Sequence, residues 1–110
     1  MVYEVYKSPT NEQKKLVFDA VKYAGIIALD YENKELKHWY KSKSQPVTDA
    51  DIKINSYLKK FLKEITPNFG WLSEESIDDG SRLEKGIFWC LDPIDGTRSF
   101  IAKKPEYTIS

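Results

Sequence analysis

From Leu16 onward, apolar side chains recur at helical spacing: Leu16, Val17, Ala20, Val21, Ala24, Ile27 and Ala28. Thr10 stands three residues before Gln13, an arrangement in which each side chain can accept from the other's backbone N–H, so the spacing predicts a helix over 11–31. Leu36 to Lys43 alternates aromatic and lysine residues, which predicts a half-exposed strand or extended segment ending at Pro46. A second helix is predicted from Thr48 or Asp49, both good N-cap types. Ile54, Leu58, Phe61 and Ile65 lie on one stripe, Tyr57 and Leu62 lie beside it, and Pro67 closes it. Gly70 to Glu74 reads as a short strand and Asp79-Gly80 as a turn. Gly86 to Asp92 is an apolar run of strand length that stops at an Asp-Pro pair. Glu106 to Ser110 reads as the start of another strand, with no turn or cap after it.

Composition narrows what this pattern can be. A chain of 110 residues allows one domain and hides roughly 60–68% of its unfolded surface. Aromatic residues make up 14% of it, which argues against disorder. Seventeen basic residues balance seventeen acidic ones, and a neutral total speaks against a nucleic-acid or membrane-surface module. No apolar run approaches a membrane span and no leader pattern opens the chain. The lone Cys90 has no partner for an internal disulfide, so a reducing cytoplasm is the expected compartment. Cys90 itself reads as a buried small hydrophobe, Trp71 and Trp89 as core, and His38 and the lysines at 59, 60 and 63 as surface. The neutral total conceals an asymmetry: residues 72–96 carry seven carboxylates against Arg82 and Lys85.

Three segments place paired carboxylates where a core element meets solvent: Asp49 with Asp51, Glu74 with Glu75, and Asp92 with Asp95. Taken singly, these are capping residues, a solvated strand end and an ordinary turn. Taken together they suit hard divalent cations, which want oxygen ligands. Pro93 fixes its own φ and restricts Asp92 to extended geometry while the turn brings Asp95 back, and the Ile94 carbonyl can add a third oxygen. Gly96 permits a close backbone approach, and Thr97 can open a short helix through Ile101 whose first N–H groups suit an anion.

The segment Trp89-Cys-Leu-Asp-Pro-Ile-Asp-Gly-Thr-Arg-Ser-Phe100 closely resembles the signature of the inositol monophosphatase superfamily of magnesium-dependent, lithium-sensitive phosphatases. Trp71-Leu-Ser-Glu-Glu-Ser76 resembles its acidic strand end, and Pro46-Val-Thr-Asp-Ala-Asp51 its helix start. The Leu-Ser-Glu-Glu wording and the Tyr-Thr-Ile-Ser end resemble the bacterial 3'(2'),5'-bisphosphate nucleotidase branch. The resemblance implies an α+β fold with two helices packed on an antiparallel sheet. Residues 1–110 would form the N-terminal portion of the layered αβαβα sugar-phosphatase domain, with its C-terminal portion absent.

By matching position, the resemblance makes Glu74, Asp92 and the Ile94 carbonyl ligands of one Mg²⁺, and Asp92 with Asp95 ligands of a second. Thr97 and Glu74 would orient the attacking water, with Asp51 behind Thr97, and Ile94, Asp95, Gly96 and Thr97 would meet the phosphate. Lys43 matches a basic residue of a mobile loop. The implied substrate is inositol phosphate, 3'-phosphoadenosine 5'-phosphate or a similar small ester. Family members are more than twice as long and carry a further ligand in a Trp-Asp motif, whereas here Trp39, Trp71 and Trp89 precede Tyr, Leu and Cys. A non-catalytic metal- or phosphate-binding remnant, or half of a split enzyme, is therefore the alternative. Self-association or a complementary C-terminal chain is the expected partner.

Overall fold

A computed structural model describes residues 8–42 and 45–110. Helix α1 runs Asn11–Glu32, and Thr10 and Gln13 form the predicted capping box. Helix α2 runs Asp49–Ile65 with Thr48 as N-cap. The two helices pack on each other through a row of alanines, Ala20, Ala24 and Ala28, which lets α2 approach with Ile54, Leu58 and Leu62. The Gln13 amide donates to the Ile65 carbonyl across 3.1 Å, so the start of α1 lies at the end of α2. The buried row on α2 is therefore the i, i+4, i+8 row. Leu62 takes the place expected for Phe61, which stays 37% exposed and packs against Tyr57 with ring centres 4.7 Å apart.

Strands β1 (His38–Ser42) and β2 (Gln45–Thr48) form an antiparallel hairpin. Every residue of β1 is exposed, and Pro46 lies within β2 instead of ending the segment. The register shifts between Tyr40 and Ser42, an irregularity of the kind that accommodates a proline. Lys43 lies outside the described residues.

Strand β3 (Gly70–Ser73) pairs with β4 (Phe88–Leu91), with helix α3 (Ser81–Glu84) between them in sequence. The α+β class holds, but this pair is parallel where the resemblance led us to expect an antiparallel sheet. The chain from Glu74 to Ile87 is long enough to cross back to the starting edge, and that is what parallel pairing requires. Burial in β4 alternates: Trp89 and Leu91 turn inward while Phe88 and Cys90 face out, so Cys90 is exposed, not buried. Trp71 is buried as expected, and the half-buried Trp89 donates its indole N–H to Thr66 across 2.8 Å. His38 is at the surface.

Helix α4 (Thr97–Ile101) follows the Asp-Pro turn, and Phe100 anchors it in the core. Beyond it, Thr108 exchanges backbone hydrogen bonds with Asp95 and Ser110 with Asp92, so the expected last strand is made by pairing with the turn itself. Among the described residues no helix is long and apolar enough to cross a membrane.

The two capping boxes differ in depth, because Thr10 is exposed and Thr48 is fully buried. Thr10→Ala is expected to cost about 1 kcal/mol, a typical N-cap loss. Thr48→Ala is expected to cost about 2–3 kcal/mol, because it also removes a hydroxyl donor from the buried Asp51 carboxylate. Urea midpoints of the two variants measure the difference, and equal losses would contradict it.

Candidate functional site

The site is built from the start of α2, the ends of β3 and β4, and the turn into α4. Asp51 sits at the third position of α2 and is fully buried. Its Oδ2 accepts from the Thr48 amide at 2.8 Å and the Thr48 hydroxyl at 2.7 Å, and its Oδ1 faces the Thr97 hydroxyl at 3.2 Å. Burial pushes the Asp51 carboxyl above its ordinary range, and the donors from Thr48 and Thr97 pull against that shift. Asp49 has a local role, accepting from the Ala50 amide. Of the first acidic pair, Asp51 alone joins the site.

Parallel pairing sets the two other acidic segments side by side. Ser73 is opposite Leu91, and the Glu74 amide continues the ladder to the Leu91 carbonyl at 3.1 Å, so Glu74 and Asp92 leave the sheet at one edge. Pro93 and Ile94 are buried beneath the turn, which fixes Asp92 and Asp95 from below. Gly96 follows at φ +94°, where an added Cβ would stand 2.6 Å from the Glu106 carbonyl, so the position requires glycine.

These elements surround one cleft of about 350 Å³ lined by Glu74, Glu75, Asp92, Ile94, Asp95, Gly96 and Thr97, with Lys41, Arg98 and Ser99 at its sides. The expected residues therefore meet in one place, except Asp51, which lies buried behind Thr97. Lys41 was missed by sequence reasoning. Its ammonium contacts Glu75 Oε1 at 2.9 Å, Glu74 Oε2 at 3.6 Å and the Glu74 carbonyl at 3.2 Å. Burial pulls Lys41 down, but the hydrogen bond and charge of Glu75, with the charge of Glu74, outweigh it and hold the ammonium above its usual range. Lys41 and Lys43 stand two apart in the same run of the sequence, so its pattern did not single out Lys41.

Asp92 is pushed up to about 6, first by burial and then by the charges of Asp95, Glu74, Asp51 and Glu75. Among the described residues, no three carboxylate, histidine or cysteine groups stand close enough to clasp an ion as placed, and the Lys41 ammonium neutralises the β3 end. The donor chemistry nevertheless suits a hard divalent cation: the cleft offers four carboxylates, Glu74, Glu75, Asp92 and Asp95, and the Ile94 carbonyl, all oxygen, in a negative field that such a cation relieves.

A model of the inositol monophosphatase family matches residues 11–110. The chain belongs to that family. Relatives within reach of the nucleotidase branch include the 3'(2'),5'-bisphosphate nucleotidase CysQ of Buchnera aphidicola, 33% identical over 77% of this chain and 32% of its own length. The histidinol-phosphatase of Chlorobaculum parvum is 33% identical over 86% of this chain and 36% of its own. The fold matches the extragenic suppressor protein suhB of Bartonella henselae with a TM-score of 0.81 at 24% identity, covering 90% of this chain and 39% of that one. The chain thus spans about a third of the length of the curated relatives it matches.

The crowding of carboxylates yields a prediction for the cation-free protein. The folded-state pKa of Asp92 lies above its unfolded value of 3.8, so ionisation opposes folding: the penalty is absent below about pH 4 and grows as pH rises through 6. Asp92→Asn is therefore expected to stabilise the chain in EDTA at pH 8. With solvent screening discounted, the gain is on the order of 1 kcal/mol, or about 4 °C in Tm. Melting curves at pH 8 and pH 4 check it, since the gain should vanish at the lower pH.

Proposed function

We propose that the chain carries the catalytic face of a magnesium-dependent phosphate monoester hydrolase of the inositol monophosphatase type. Its substrate class is small phosphate esters such as inositol phosphate or 3'-phosphoadenosine 5'-phosphate. The carrying observation is the convergence of two separate acidic segments, Glu74-Glu75 and Asp92–Asp95, on one cleft, with Asp51 of the third buried behind Thr97. The named activities of CysQ and the histidinol-phosphatase, both phosphate-ester chemistry, support the same class. The lone thiol and balanced charge suit a cytoplasmic enzyme, and lithium sensitivity belongs to the same reading.

In this proposal Glu74, Asp92, Asp95 and the Ile94 carbonyl hold Mg²⁺. Bound there, Mg²⁺ supplies Lewis acidity that neutralises phosphate charge and makes water a usable nucleophile. The protein's share is proton placement. Thr97 has one hydroxyl proton and two acceptors within reach, Asp51 Oδ1 at 3.2 Å and the Ile94 carbonyl at 2.9 Å. When the Ile94 carbonyl is engaged elsewhere, the proton goes to Asp51, and the Thr97 oxygen is left as an acceptor that can orient water beside Glu74. The backbone amides of Gly96 and Thr97 meet the phosphate oxygens, and the left-handed turn at Gly96 allows that approach.

The test is phosphate release by the 110-residue chain with millimolar Mg²⁺, using both named esters. Turnover is expected, and Asp92→Asn and Asp51→Asn are each expected to lower it at least about 100-fold. Because the chain spans a third of its relatives' length, binding without turnover is the second reading. A Mg²⁺-dependent rise in Tm that Asp92→Asn abolishes, with no phosphate released, would select it. Neither turnover nor a Tm response would overturn both.

A further inference from the structure

Asn55 lies one turn after Asp51 on the same face of α2 and is 7% exposed. Nothing in the proposed chemistry uses it, yet a buried amide is costly unless its polar atoms are satisfied. Asn55 Oδ1 accepts from the Ser73 hydroxyl at 2.6 Å, and Nδ2 donates to the Ser76 hydroxyl at 2.8 Å. Ser73 Oγ in turn accepts from the Glu75 amide at 3.2 Å, and the Ser76 amide closes toward the Ser73 carbonyl at 3.4 Å. One side-chain amide therefore holds both ends of the turn whose middle residues are Glu74 and Glu75.

We infer that Asn55 is a positioning residue for the acidic end of β3. Two neighbouring turns of one rigid helix fix two parts of the cleft: Asp51 fixes Thr97, and Asn55 fixes the Glu74-Glu75 turn. Without the clasp, the end of β3 keeps the Glu74 amide bond to Leu91 and the contacts from Lys41 but loses its tie to α2, and Glu74 is held less firmly relative to Asp92. The side chain of Glu74 is itself 60% exposed, so packing around it does not replace the lost tie. Groups that orient metal-binding side chains from behind typically contribute 10–100-fold in metal affinity. The inference rests on the proposed cation site, and the experiment separates the two.

The 110-residue chain and its Asn55→Ala, Ser76→Ala and Asp92→Asn variants would be titrated with Mg²⁺ by calorimetry, and each unfolded in urea with EDTA. Asn55→Ala is expected to weaken Mg²⁺ binding about tenfold or more, and Ser76→Ala by a smaller factor. A purely structural role would lower the urea midpoint and leave Mg²⁺ affinity unchanged, which overturns the inference while the cation site stands. Absence of Mg²⁺ binding by the unsubstituted chain would overturn the cation site, and the inference with it. Should Asn55→Ala fail to fold, Ser76→Ala decides, because unchanged affinity in that variant overturns the clasp.

Discussion

The parallel pairing of β3 with β4 is the constraint on which the rest of the site depends. Two antiparallel strands would send Glu74 and Asp92 to opposite edges of the sheet. Parallel strands bring both C-terminal ends to one edge, where open α/β sheets generally bind ligands. The register from Gly70 with Phe88 to Ser73 with Leu91 then fixes which residues emerge there. That placement concentrates negative charge, and the structure answers it from three sides. Lys41 reaches in from β1, the backbone of Thr108 and Ser110 ties down the Asp92–Asp95 turn, and Ile94 and Phe100 bury the turn's underside.

Helix α2 relates this edge to the α4 turn. Its apolar row, Ile54, Leu58 and Leu62, locks it against the alanines of α1, so it acts as a rigid reference. From that reference Asp51 reaches Thr97 and Asn55 reaches Ser73 and Ser76. The contacts join segments far apart in sequence, and they converge on two residues one turn apart. The same packing that stabilises the helix pair therefore sets distances across the cleft.

Local chemistry was legible in the sequence and non-local geometry was not. The caps at Thr10 and Thr48 and the extent of both helices follow from spacing within a few residues. The acidic turn and the short helix after Gly96 were legible for the same reason, since Pro93 and Gly96 restrict the backbone wherever they occur. Strand direction was not, because alternation along β3 or β4 is identical whichever way the partner runs. The choice of Leu62 over Phe61 depended on where α1 sits, which the pattern of α2 alone does not contain. Cys90 reads as buried in an apolar run, yet only one face of β4 is covered. Asn55 did leave a signal: a polar residue four places after Asp51, on the face that also carries Ile54 and Leu58.

Comparison of the two capping boxes bears on why position 51 carries a charge. Helix α1 is capped by Thr10 with the neutral Gln13, and helix α2 by Thr48 with the acidic Asp51, through the same reciprocal pattern. An N-cap contributes about 1 kcal/mol, whereas taking a carboxylate out of water costs several. The chain thus has a neutral solution to the capping problem and does not use it at the buried site. Favourable interaction with the helix N-terminus adds at most about 2 kcal/mol. Capping and the helix dipole together do not account for a fully buried Asp51 whose carboxyl is held above its usual range. The remaining interaction that uses its charge is the one with the Thr97 hydroxyl, at the point where α2 meets the cleft.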